Sequence, residues 1–167
     1  MGKIAVVYGS SGGNTEDVAK QIAKGLAGNE VDVLNVDRLK DGDLDAYSAL
    51  ILGTSTWGLG DLQDDWDSYL PKLAKSNLNG KTIAFFGLGD AESYPDTFVD
   101  GMGILYQAVK DKGANLIGSV STDEYDFDDS KAVVDGNFVG LVIDVDNEFA
   151  KTESRVNAWL ESIKASL

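Results

Sequence analysis

The chain has 167 residues, 28 of them acidic and 14 basic, for a formal net charge of −14 at pH 7, and it has neither cysteine nor histidine. Disulfides, thiolate nucleophiles, cysteine-ligated zinc, iron–sulfur clusters and every Ser-His-Asp or Cys-His mechanism are therefore excluded. The carboxylate surplus, with arginine only at Arg38 and Arg155, argues against nucleic acid as a partner, because such a surface repels a phosphate backbone.

In chain order, residues 3–8 (KIAVVY) form a short, nearly all-apolar run, the pattern of a strand buried on both faces. A loop, residues 9–15, leads into a helix with Val18, Ala19, Ile22, Ala23 and Leu26 at helical spacing and Gly28 as its stop. Residues 31–36 and 49–52 read as the second and third strands. A loop over 53–60 follows, then a helix over 62–75 with Trp66, Tyr69, Leu70 and Leu73 on one face. Residues 82–86 are a fourth buried strand. After a loop over 87–94, Pro95 suits the first turn of a helix that runs to Lys112 and stops at Gly113. Residues 115–120 start a fifth strand, 121–137 are polar, acidic and aromatic, and the apolar run 138–145 reads as the strand resuming. The last helix uses Val156, Trp159, Leu160 and Ile163.

Strands alternating with helices predict one α/β domain over residues 1–167, a parallel sheet covered on both faces. Hydrophobic residues make up 43%, an ordinary globular share, so the acidity does not signal disorder. No apolar run approaches the ~20 residues of a membrane span, and the amino-terminal residues lack a signal-peptide pattern. The expectation is a cytoplasmic protein with no membrane partner, whose redox or group-transfer chemistry, if any, is carried by a cofactor.

In such a sheet ligands bind beyond the carboxyl ends of the strands, where loops 9–15, 53–60 and 87–94 meet. Loop 9–15 joins a strand end to a helix start, so backbone N–H groups and the helix dipole favour an anion there. Ser10, Ser11, Asn14 and Thr15 add side-chain donors, and Gly12 and Gly13 let the backbone curl. Asn14 and Thr15 stand where a P-loop needs Gly and Lys, and the spacing of G-x-G-x-x-G is absent. A triphosphate with Mg²⁺ is disfavoured, and a single terminal phosphate on neutral donors is favoured. The same residues also suit a plain turn and N-cap. Trp57 and Tyr94 fall in neighbouring loops beside this site, where they either sandwich a flat ring or serve as ordinary half-buried aromatics.

With these residues in view the sequence resembles the flavodoxins, of the long-chain type, from Lys3 to Leu160. The most specific pieces are residues 10–15, Thr56-Trp57-Gly58, Phe86-Gly87-Leu88-Gly89-Asp90 with Tyr94, residues 121–127, and residues 135–141 with Asp144, Asp146 and Asn147. The resemblance, not the spacing, supplies the five-stranded order 2-1-3-4-5 with FMN at the switch point, for which flavodoxin is itself a standard example. It also implies that the polar segment after residue 120 is the insertion that splits the fifth strand. It implies a tightly bound, non-covalent FMN. By matching position, Ser10, Ser11, Gly12, Asn14 and Thr15 hold the phosphate, and Trp57 and Tyr94 flank the isoalloxazine. Thr56, Gly58, Gly60, Gly89 and Asp90 contact the ring edge or ribityl chain, and Asp146 lies near the ribityl. The chain departs from the family at Gly12, usually threonine, and at Ser55, often proline.

The implied function is a low-potential one-electron carrier shuttling between reductases and electron acceptors, with no substrate turnover of its own, acting as a monomer. Turnover of the 58–59 peptide on reduction would let the Gly58 carbonyl accept a hydrogen bond from flavin N5. Asp61, Asp64, Asp65, Asp67, Asp90 and Asp146 would surround the flavin and oppose a second negative charge. The same field, extended by Asp123, Glu124, Asp126, Asp128 and Asp129, would steer partners with basic docking faces. The alternatives are an FMN-dependent NAD(P)H:quinone reductase and a flavin-free binding module on the same fold. A phosphoacceptor receiver domain is set aside, because Ile51-Leu52-Gly53 stands where that mechanism needs an aspartate.

Overall fold

Apolar runs too short for helices line up side by side in the computed structural model, which describes residues 2–167. The strands β1 (Ile4–Gly9), β2 (Val31–Asn35), β3 (Ala49–Trp57), β5 (Thr82–Leu88) and β10 (Leu141–Ile143) form a parallel sheet in the order β2-β1-β3-β5-β10. A short β6 (Asn115–Leu116) pairs with the start of β5, and β10 pairs with its end. The fifth position is thus one strand cut in two, and the order 2-1-3-4-5 is the one expected.

Both faces of the sheet are covered. Leu50, Leu52, Ile83 and Phe85 point into one core with α2 (Asp64–Lys75) and α3 (Asp100–Val109). Ile4, Val6, Ile51 and Phe86 point into the other with α1 (Asn14–Gly25) and α5 (Thr152–Ile163). Burial on both faces explains why β1 and β3 carry no polar alternation.

Three local expectations need correction. Strand β3 does not end at Leu52 but runs on to Trp57, and then pairs antiparallel with β4 (Asp61–Leu62), Trp57 facing Asp61. Gly53 lies inside that strand because the Phe86 ring occupies the space of a side chain there: a Cβ would come within 1.9 Å of it. The helix expected from Pro95 begins only at Asp100, after Val99 at φ 49°. The Pro95 carbonyl instead accepts from the N–H groups of Asp128 and Asp129, and Phe98 N–H donates to Asp129. The insertion takes the hydrogen bonds a helical turn would need. Finally, residues 120 and 138 leave the main sheet. Strands β7 (Val120–Ser121), β8 (Val133–Val134) and β9 (Asn137–Phe138) make a small antiparallel sheet, turned by Asp135-Gly136 with both residues at positive φ.

Candidate functional site

The carboxyl ends of β1, β3 and β5 open into one cleft of about 180 Å³, partly open to solvent. It is lined by Ser10, Gly12, Asn14 and Thr15 at one end, by Ser55 to Gly58 and Leu88 to Asp90 along the middle, and by Tyr94, Val145 and Asp146 at the far side. Among the described residues no lysine or arginine lines it.

The first end is built from donors without formal charge. Strand β1 stops at Gly9, where Gln63 and Trp66 leave no room for a Cβ. The chain then turns through residues 10–13, with Gly13 N–H held by Ser10 Oγ at 2.9 Å, and enters α1 without any side-chain cap. Among the described residues, the N–H groups of Ser11, Gly12, Asn14 and Thr15 meet no acceptor. Ser55 Oγ is also buried without a partner. A helix start left open in this way, with loose donors around it, is suited to one anionic group.

The middle carries the aromatics. Trp57 is 47% exposed and Tyr94 41%, so each presents a ring to the cleft while its other side meets solvent. Thr56 Oγ1 accepts from Gly101 N–H at 2.9 Å, which ties the end of β3 to the start of α3. Gly58, at φ 52°, opens the turn between β3 and β4, and Leu59 at its tip is 85% exposed.

The far wall is acidic and cross-braced. The one-turn helix α4 (Val145–Glu148) is capped by buried Asp144, which accepts from Asn147 N–H at 3.1 Å and from Ala91 N–H at 3.1 Å. Asn147 Nδ2 donates to Asp90 Oδ1 at 2.8 Å. Partial burial pushes the Asp90 carboxyl up, but donors from Ser93, Asn147 and Glu92 outweigh it and hold it below the ordinary aspartate range. Asp146 goes the other way. Burial raises it, and the neighbouring charges of Asp90 and Asp144 add to that.

Ser10, Gly12, Asn14, Thr15, Thr56, Trp57, Gly58, Gly89, Asp90, Tyr94 and Asp146 thus come together on one cleft, as the sequence leads one to expect. Ser11 and Gly60 do not line it. Ser11, which is exposed, accepts at Oγ from Gln63 Nε2 at 3.2 Å. Gly60, at φ 97°, turns toward α3, where an added Cβ would lie 2.7 Å from Asp100 Oδ2. The expected ring of six aspartates is also reduced. Only Asp90 and Asp146 line the cleft, and Asp61 lies beside Gly58. Asp64, Asp65 and Asp67 occupy the first turn of α2, where the helix dipole favours them without any ligand. Sequence reasoning missed Ser55, Leu88, Val145 and Gln63. Gln63 is 1% exposed, caps α2 through Oε1 and reaches Ser11 through Nε2. The clue was a polar residue directly before the acidic first turn of a helix.

The family model described as Flavodoxin matches residues 6–159. A flavodoxin of Synechocystis sp. is 43% identical over 100% of this chain and 99% of its own length. One of Nostoc sp. is 40% identical over 98% of this chain and 96% of its own. A solved flavodoxin of Fusobacterium nucleatum, bound to flavin mononucleotide, superposes with a TM-score of 0.95 at 28% identity, covering 100% of this chain and 99% of that one.

Proposed function

The chain belongs to the flavodoxin family, and from that premise we propose how its cleft holds FMN and tunes it. The protein is an FMN-binding electron carrier, and flavodoxins turn over no substrate of their own, so the quinone-reductase alternative is set aside. The observation that carries the cofactor assignment is the set of unpartnered donors at the end of a cleft with no cationic side chain. A terminal phosphate satisfies them.

In this reading the N–H groups of residues 11, 12, 14 and 15 bind the phosphate, together with the hydroxyls of Ser10, Ser11 and Thr15 and the Asn14 amide. Ser11 keeps its O–H to donate while its oxygen accepts from Gln63. Trp57 and Tyr94 would flank the isoalloxazine and exclude water from it. Thr56, Gly58, Gly89 and Asp90 meet the ring edge and ribityl chain, with Asp146 beside the ribityl. Gly60 acts from behind, letting the 58–60 turn lie close on Asp100.

When bound, FMN supplies reversible uptake of one or two electrons. The protein's share is to set the two steps apart. The Gly58 carbonyl is an acceptor that can be turned toward a protonated ring nitrogen. Asp90 and Asp146 on the cleft, with Asp61 beside Gly58, would oppose added negative charge on the bound group and so favour a low potential. The same surface, with a chain charge of −14, suits fast, salt-sensitive encounters with basic faces of reductases and electron acceptors. The reading includes a monomeric, cytoplasmic carrier. Among the described residues no helix is long and apolar enough to cross a membrane.

The test is a redox titration of the purified protein followed by visible absorbance. A yellow protein reduced in two separated one-electron steps is expected, the second well below the first. A colourless protein that fails to take up added FMN, or a single two-electron step, overturns the reading.

A further inference from the structure

Arg155 is the one arginine turned into the protein. It stands on α5 beside Val156, its side chain 8% exposed, with the guanidinium carbon 4.3 Å from the centre of the Tyr125 ring. Nη1 donates to Glu148 Oε1 at 3.0 Å, while Nε and Nη2 are buried without partners. A guanidinium desolvated and only partly compensated is a poor source of stability, since an apolar side chain of similar size fills such a place at lower cost. Its two contacts show what it provides instead.

On one side is the insertion. Tyr125 donates its hydroxyl to the Val142 carbonyl of β10 at 2.7 Å, and its ring packs against Phe98 and Phe138. On the other side is the acidic wall. Glu148 closes the turn whose Val145 and Asp146 line the cleft, and whose cap is bonded to Ala91 and, through Asn147, to Asp90. The other cation on Glu148, Lys151 Nζ at 2.7 Å, is more than half exposed and so holds it weakly. Arg155 is therefore a buried link between the insertion and the acidic wall of the cleft, separate from the backbone bonds of Asp128 and Asp129 to Pro95.

We propose that Arg155 is a positioning residue that registers the Val145–Glu148 turn against Tyr125, and through that turn sets where Asp146 and Asp90 stand relative to the flavin. The proposal rests on the assignment of the cleft to FMN. Its consequence is that the insertion, which touches no part of the cleft with Tyr125, still tunes the cofactor. Lysine keeps the charge opposite Glu148 but loses the flat group stacked on Tyr125, so it separates registration from charge.

The experiment compares the parent with Arg155→Lys, Tyr125→Leu, their double variant and Glu148→Gln. Trp159→Phe serves as a control, since Trp159 stands on the same helix but donates its indole N–H to the Gly118 carbonyl beyond β6, and neither residue lines the cleft. Each is measured for FMN affinity by fluorescence titration of the apoprotein, for both potentials of the loaded protein, and for Tm. Arg155→Lys is expected to weaken FMN about threefold and to move the second reduction step to less negative potential. Tyr125→Leu should do the same, and the double variant should do no more than either alone. Trp159→Phe should lower Tm and leave both potentials unmoved. Should Arg155→Lys fail to fold, Glu148→Gln decides in its place by the same shift. Lowered Tm with unchanged potentials and affinity in Arg155→Lys and Glu148→Gln overturns the proposal. A parent that binds no FMN overturns the cleft assignment instead, and the proposal with it.

Discussion

The two ends of the cleft use opposite chemistry. At the β1–α1 end, donors converge without a single formal positive charge, and several have no partner within the chain. At the β5–α4 end, carboxylates converge, and Asp90 and Asp144 share the Asn147 amide as a donor. The first end offers donors, while at the second Asp90 and Asp144 are already held by donors of the chain. The difference teaches where affinity and potential come from. A ligand gains by completing the donor end, while at the acidic end it meets a rigid field that it must tolerate.

The sharpest way to break this contrast is to make the donor end acidic. An added Cβ at Gly12 meets nothing within 4 Å and its φ is not in the left-handed range, so Gly12→Asp changes charge with little strain. It should weaken FMN by about a hundredfold or more, as a carboxylate takes up the N–H groups and repels the phosphate. Gly12→Thr at the same place should tighten binding by about threefold to tenfold, one neutral hydrogen bond's worth. Fluorescence titration of the apoprotein checks both. Similar affinities for the two variants would show that the donor end does not hold the phosphate.

The complementary change neutralises the acidic end. Asp90→Asn with Asp146→Asn should raise the potential of the second step by on the order of tens of millivolts, with a smaller effect at high salt. Neutralising Asp64 and Asp65 should do less, because they stand on the first turn of α2 and not on the cleft. Potentiometric titration of both pairs ranks them. A larger shift from the α2 pair would return the argument to a diffuse field over the whole acidic face.

That ranking was not legible in the sequence, and the reason is physical. The buried strands follow from local apolar runs, while the strand order follows from the family resemblance; Ser10, Gly12, Asn14, Thr15, residues 56–58, Gly89, Asp90 and Tyr94 share one cleft. What failed depended on partners far away in the chain. Gly53 reads as a loop residue until the Phe86 ring is placed over it. Pro95 reads as a helix start until the insertion takes its carbonyl. Gln63 reads as one more polar residue until Ser11 comes within 3.2 Å of it. The six aspartates look equivalent in a string, although the fold places three of them in the first turn of a helix that Gln63 caps.

Between the two ends stands Gly58. Its φ of 52° lies where a β-carbon costs about 1 kcal/mol, and a Cβ there would lie 3.5 Å from Asp61 Oδ2. Gly58→Ala should therefore bring the two reduction steps closer together while changing FMN affinity little, since the donor end is untouched. An unchanged separation in the redox titration would remove the 58–59 peptide from the account.

The smallest effect lies within the acidic wall itself, where two carboxylates should respond to pH with opposite sign. Asp90 is held below its ordinary range, so its contribution to stability is present above that range and is lost as pH falls through its lowered pKa. Asp146 is raised, by burial first and then by Asp90 and Asp144, so its contribution is full below the ordinary value and is lost as pH rises through the raised one. Both groups are partly exposed, so solvent screening keeps each effect small. In apoprotein melts against pH, Asp146→Asn should gain slightly at neutral pH and lose that gain in acid. Asp90→Asn should lose slightly at neutral pH and match the parent in acid. Curves that move together would mean the wall titrates as a single pooled charge, and the hydrogen bonds from Ser93 and Asn147 would then have no separate part in holding Asp90 ionised against the flavin.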